Sequence, residues 1–332
     1  MGTFEFTPLP SQFAWTFGGA GPISRLGPGT ALKLWTEDAF SGRLYKNSHL
    51  PDERITDGRF NPQTGPFHVE GAEPGDTLVL HIAELTPARD WGVSTLVAHF
   101  GGLTGTGRTA TLQPPLPERT WIYQLDRDAG TVRFEAAAGD FTVDLPLCPM
   151  LGTVGVAPSA GEVRSSLAAG GYGGNLDTPE MRAGATCYLG VNVEGALFSV
   201  GDGHYRQGEG ESCGTAVEGA MNTTLVVDLI KGGAPAWPRI ENDDFLITLA
   251  SARPLEDAWR ISQVQMVGWL SDRHGLDPLD AYQLLSQISR TPLANVVNTD
   301  YTVATKVPKA LLPDRPVFGG MHRRMREIAA RL

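Results

Sequence analysis

The 332-residue chain holds only three cysteines, Cys148, Cys187 and Cys213, an odd number without paired spacing. That excludes a disulfide framework and any Cys-x-x-Cys centre, and makes a reducing, cytoplasmic compartment the expected home. No uninterrupted apolar run approaches the ~20 residues that a membrane-spanning helix needs. The start, Met1-Gly-Thr-Phe-Glu-Phe6, lacks the basic-then-apolar order of a signal peptide, so none is expected. Positive charge is short as well: 27 Lys and Arg stand against 37 Asp and Glu, a formal net charge of −10. A nucleic-acid or anionic-membrane partner is thereby disfavoured, and a small neutral or cationic substrate fits better. A dinucleotide fingerprint, a P-loop and a repeat of fixed period are all missing.

What the chain has in plenty is turn-forming residues, 40 glycines and 24 prolines spread along its length. Such punctuation suits many short strands joined by tight turns. Alternation marks strands at 31–36, 77–82, 121–125, 132–135 and 141–145, the second after the turn Glu73-Pro-Gly-Asp76. Further strands are expected at 187–193, 196–200, 217–229, 244–250 and 295–307. The last third alone shows helical spacing. Pro254 opens one helix, with Leu255, Ala258, Ile261, Val264 and Val267 as its apolar stripe and Gly275 as its stop. Asp277 caps a second, with Leu279, Tyr282 and Leu285 on one side, and a short basic amphipathic helix ends the chain as a docking or subunit-contact element. The expected fold is mainly β, a jelly-roll-like β-sandwich core with additional β elements and two to three helices in the C-terminal third. By this reading residues 1–165 form the sandwich part, 166–310 a glycine-rich catalytic part with a helical insertion, and 311–332 the tail helix. Exposed strand edges and that tail make a homodimer the expected state.

The segment Ser199-Val-Gly-Asp202-Gly-His204-Tyr-Arg-Gln207-Gly-Glu209-Gly-Glu211 carries the strongest chemical signal. Four glycines free the backbone for left-handed turns or close approach to a ligand. If extended, Asp202 and His204 share a face, as do Glu209 and Glu211. Imidazole nitrogen with carboxylate oxygen is a zinc-type donor set, and a carboxylate from another loop would complete it. Loops at Glu37-Asp38 and Asn175-Leu-Asp177 offer such groups, and His99 adds a fifth segment. A divalent cation, zinc by donor type with calcium as the alternative, would activate water for attack on an acyl carbon. Gly170, Gly171, Gly173 and Gly174 could turn backbone N–H groups toward an oxyanion.

Two other readings compete. Cys213, near a histidine and a glutamate, could act as a nucleophile in an amidase or lactamase, although a free cysteine is more often a small packing residue. Alternatively the protein is a non-catalytic ligand-binding jelly roll whose acids hold structural calcium. Ser199 lacks the strained elbow of a serine hydrolase, since Phe198 and Val200 flank it. A bland glycine-rich hairpin with solvated charges is the simplest alternative of all.

The chain resembles the acetamidase/formamidase family through a series of blocks that keep their order from about residue 20 to 310. They are Asn61-Pro-Gln-Thr-Gly-Pro66, Val69-Glu-Gly-Ala-Glu-Pro-Gly-Asp76, Gly152-Thr-Val-Gly-Val-Ala-Pro158, Gly173-Gly-Asn-Leu-Asp177, Gly195-Ala-Leu-Phe-Ser-Val-Gly-Asp-Gly-His204, Gln207-Gly-Glu-Gly-Glu211, and Tyr301-Thr-Val303 before Pro308-Lys309. The resemblance implies hydrolysis of short aliphatic amides of the formamide and acetamide type to carboxylate and ammonia, with lactam opening in some members. It carries acidic and histidine positions onto Asp38, Asp177, Asp202, His204 and Glu211, with Glu218 a further candidate. The implied roles are Asp38, Asp177, Asp202 and His204 at the metal, Glu211 as general base and then acid, and Asn175 with the Gly173 and Gly174 amides around the oxyanion. Tyr172, where many relatives carry histidine, and Ala98-His-Phe-Gly-Gly102 depart from the family pattern.

Overall fold

The strand Met221–Ile230 pairs along its length with Thr77–Pro87 on one side and Thr30–Thr36 on the other. These form the centre of a nine-stranded sheet that continues through Thr186–Gly190, Arg239–Glu241, Phe245–Ala252 and Tyr301–Pro308. A twelve-stranded sheet faces it, with Phe198–Arg206 lying between Met150–Gly155 and Val217–Glu218. The structure, a computed structural model, describes residues 2–104, 112 and 114–332.

Leu78, Leu80 and Ile82 alternate inward from the first sheet and meet Phe67, Leu151, Val154, Phe198 and Val200 of the second in one shared core. At ~1.5–3 kcal/mol per fully buried large apolar side chain, this seam is the main favourable contribution to the fold. The intervening residue Val79 points the other way, where Met321 and Met325 of the helix Met321–Ala329 cover it together with Tyr188 and Val226. Covering on both faces is why this strand reads as a continuous apolar run. The tail helix is thus a docking element, and the sheet it docks on belongs to its own chain.

The chain is mainly β, as expected, with its longer helices in the C-terminal third at Leu255–His274, Pro278–Ile288 and Met321–Ala329. Gly275 ends the first with φ 65°, and Asp277 caps the second by accepting from the Leu279 N–H. The buried stripe differs from the expected one. Val264, Leu279 and Tyr282 are exposed, while Ser262 and Gln263 are buried because their side chains hydrogen-bond Thr305 of the sheet beneath. Both sheets draw strands from before and after residue 165, so neither sheet lies wholly on one side of it. Among the described residues, no helix is long and apolar enough to cross a membrane.

Candidate active site

Phe198–Arg206 is a single nine-residue strand, so Asp202 and His204 project from the interior of a sheet and not from a loop after it. Across one edge Glu218 is directly opposite His204, on the short strand Val217–Glu218. Across the other edge runs Met150–Gly155, and beyond it Gly173–Asn175, whose Asn175 pairs with Thr153. The chain then turns so that the Leu176 and Asp177 amides both donate to the Gly152 carbonyl, at 3.0 and 2.9 Å. Glu211 arrives from a separate turn, bound through the Gly210 amide to the Leu293 carbonyl at 2.8 Å.

These elements bring Asp177, Asp202, His204, Glu211 and Glu218 together, every one of them buried. His204 belongs to two sets of potential ligands, one with Asp177 and Glu211 and the other with Asp202 and Glu218, each set spanning no more than 4.8 Å. Its Nε2 lies 3.4 Å from Asp202 Oδ1 and 3.1 Å from Glu218 Oε2. Even so, among the described residues His204 Nε2, Glu218 Oε2 and Asp177 Oδ1 are buried without a well-directed hydrogen bond. Buried polar atoms usually have a hydrogen-bond partner, and these three lie in one site.

Neighbouring groups hold the cluster in place. Gln207 donates to the Asp177 and Ala294 carbonyls at 2.6 and 2.9 Å, which leaves its Oε1 to accept from His204 Nδ1 at 2.9 Å. In the neutral imidazole this arrangement puts the Nε2 lone pair toward the carboxylates. Asn298 donates to Asp177 Oδ2 and Asn61 to Asn175 Oδ1, while the Thr153 hydroxyl lies between Asn175 Oδ1 and Asp202 Oδ2. Asn61, Asp177, Asp202 and Glu211 all have left-handed backbones, with φ of 60°, 46°, 60° and 47°. Such residues cost of order 1–3 kcal/mol each and gather where function over-determines the backbone.

Crowding acid groups in a dry site displaces their titration. Burial, with the neighbouring Asp177 charge, pushes the Glu211 carboxyl well above the usual carboxylate range. Asp177 is raised well above it by burial and by Asp202. Burial carries Glu218 to about 7, against the pull of His204. For Asp202 burial also acts upward, but the His204 charge and hydrogen bonds outweigh it and hold the carboxyl low. Burial lowers His204, and the Glu218 and Asp202 charges more than reverse that, so its pKa is raised well above the ordinary imidazole value. Burial and neighbouring charges thus push the acids of one centre in opposite directions.

The cluster floors a cavity of about 330 Å³ whose wall includes Phe40, Phe60, Val97, Phe100 and Leu167. Not every residue expected at the site is there. Asp38 is buried, but its carboxylate is taken by Arg89 and by the Phe40 and Gly42 amides, at 2.9 and 3.0 Å for the latter two, so it is not a ligand in this geometry. Gly173 and Gly174 sit inside the sheet between Met150–Gly155 and Ala169–Gly170 and do not line the cavity, which removes them from an oxyanion role. Glu209 is exposed, His99 is exposed while Phe100 turns inward, and Tyr172 is packed on Phe17. Cys213 is exposed, with Sγ 3.2 Å from the Thr215 carbonyl, and is not on the wall. Gly152, read from sequence only as part of a family block, is a further position on which the cluster depends. A Cβ there would overlap the Asp202 and Asp177 carboxylates and lie 2.9 Å from His204 Cε1, so only glycine leaves room for the cluster.

The fold and site define a mainly β protein with an enclosed centre of four carboxylates around one imidazole. The chain belongs to the acetamidase/formamidase family, whose model matches residues 20–168 and 161–275. It is 27% identical over 285 residues to an acetamidase of Mycolicibacterium smegmatis, covering 70% of this chain and 68% of that protein. It is 28% identical over 260 residues to a formamidase of Methylophilus methylotrophus, covering 65% and 63%. The chain thus spans about two thirds of the length of these relatives. The crystal structure of an acetamidase from Yersinia enterocolitica superposes with a TM-score of 0.88 at 38% identity, covering 94% of this chain and 93% of that one. Family membership supports hydrolysis of an amide.

Proposed function

We propose that the protein hydrolyses a primary amide to carboxylate and ammonia at the floor of this cavity, with a single divalent cation held by Asp177, Asp202, His204 and Glu218. The observation that carries the reading is the trio of buried atoms that make no well-directed hydrogen bond among the described residues, His204 Nε2, Asp177 Oδ1 and Glu218 Oε2, within a set of imidazole and carboxylate donors. Imidazole nitrogen among the donors favours zinc over calcium, which takes oxygen ligands. When bound, such a cation polarises a carbonyl and acidifies water.

The protein's own groups then have distinct tasks. Gln207 fixes the His204 ring, and Asn298 fixes the Asp177 carboxylate. Asn175 spends its Oδ1 on Asn61 and Thr153, which leaves its side-chain N–H donors for the substrate oxygen in the cavity it lines. Glu211, on the wall and raised in pKa by burial, takes a proton from the attacking water and returns it to the departing nitrogen. A leaving group as basic as ammonia must be protonated, and a carboxyl whose pKa burial raises holds its proton more tightly for that transfer.

Elemental analysis and ammonia release from simple amides test this together. The reading expects a bound divalent metal and ammonia production that a chelator abolishes. Full turnover by metal-free protein contradicts the cation, and inactivation by a thiol reagent with no effect of chelator favours Cys213 in its place.

A further inference from the structure

The cavity is far larger and more apolar than a formyl or acetyl amide requires. Its charged groups lie at the bottom, with Asp177, Asp202 and Glu218 only 1–3% exposed, whereas Leu167 is 38% exposed and Val97, Phe60 and Phe100 are partly so. Burial thus runs from a polar floor to a carbon-lined mouth. A volume of about 330 Å³ compares with the ~10–15 Å³ of such space that one water needs and falls within the ~300–1,000 Å³ of sites for much larger ligands. A methyl group would leave most of this wall facing water that finds few partners there.

The apolar wall is also built, not incidental. Phe40 meets Phe60 edge to face at 6.3 Å and 85°. The Phe40 amide is tied to Asp38, and Asp38 in turn to Arg89, which lies over the Trp35 and Trp91 rings at 5.8 and 5.2 Å. On the other side Phe100 rests on Gly214, where a Cβ would come 2.5 Å from its ring, and Gly214 has φ 98°. Both aromatic elements are therefore held by dedicated contacts.

Resting on the hydrolase reading, we propose that the preferred substrate is a primary amide with an apolar acyl chain or ring larger than methyl, seated against Phe40, Phe60, Phe100 and Leu167 with its carboxamide at Glu211 and Asn175. Specificity then resides in the wall, and the family chemistry in the floor.

Ammonia release from formamide, acetamide, butyramide, hexanamide and benzamide, with calorimetric binding of benzamide, tests the proposal in wild type, Phe100→Ala and Leu167→Ser. The last two positions are partly exposed, so the fold tolerates their change. The expected result is a rise in kcat/KM of roughly three- to tenfold per methylene, and a drop of about tenfold or more in the benzamide-to-acetamide ratio in each variant. A rate highest for formamide or acetamide, or a ratio unchanged in both variants, overturns it. If no amide is cleaved but benzamide binds and Phe100→Ala abolishes binding, the apolar pocket stands and hydrolysis falls. With neither cleavage nor binding, both are wrong.

Discussion

Glu218 faces His204 across the seam between two strands, with its Oε2 3.1 Å from the imidazole Nε2 and both side chains out of solvent. That pair neutralises part of a site otherwise made of carboxylates. Replacing His204 by Gln leaves Asp202 and Glu218 with no compensating charge, and breaking a buried pair this way costs about 3–5 kcal/mol. The expected outcome is a lower unfolding midpoint in denaturant together with loss of activity. An unchanged midpoint would mean that the carboxylates are not confined as described.

Glu211→Gln tests the proton carrier. A neutral amide replaces a carboxyl whose ionisation burial and the Asp177 charge oppose, so stability of the metal-free protein is expected to hold or rise. Ammonia release is expected to fall ~10²–10⁴-fold with metal content unchanged. Full activity would remove Glu211 from the reaction.

Gly152→Ala places a methyl group among Asp177, Asp202 and His204. Displacement of a reacting group by about 1 Å can cost ~10² in rate. Activity is therefore expected to fall at least that far, with metal content reduced, in a protein whose circular dichroism remains that of the parent.

Asp38→Asn separates anchoring from ligation. Arg89 loses one carboxylate, which is expected to cost about 1–3 kcal/mol. Metal content should be unchanged, because Arg89 and the Phe40 and Gly42 amides occupy the carboxylate in the parent. Loss of the metal in this variant would return Asp38 to the ligand set.

Acid sensitivity should come in part from a residue outside the site. Burial, assisted by the His322 and Arg326 charges, lowers His81 from 6.5 to about 4. Between those values the unfolded chain binds a proton that the folded chain refuses, so this contribution is complete above pH 6.5 and is lost as pH falls toward 4. The difference amounts to about 3 kcal/mol. His81→Gln is expected to flatten the fall in stability across that window; an unaltered slope would assign it elsewhere.

Residues 199–211 announced their chemistry because acids and histidine among glycines have few structural uses, and the structure gathers Asp202, His204 and Glu211 with Asp177. Glu218 was legible only through resemblance, since a lone glutamate in an apolar strand gives no local sign of the histidine across the sheet. Asp38 misleads for the converse reason. Its carboxylate is ligand-like in sequence, and only the tertiary fold shows that Arg89, 51 residues away, claims it. The strands of the core were readable from alternation, whereas their distribution between two sheets depends on long-range pairing such as Thr77–Pro87 with Met221–Ile230. The helix stripe at Val264 failed because Thr305 recruits the polar side chains Ser262 and Gln263 to the buried face.

The most direct trial is to strip the protein with chelator and titrate zinc back while following ammonia release from benzamide and acetamide. The account requires negligible turnover at the start and a linear gain that saturates near about one equivalent per chain, as expected for a single site. Undiminished ammonia release from protein shown by elemental analysis to contain no metal would contradict it.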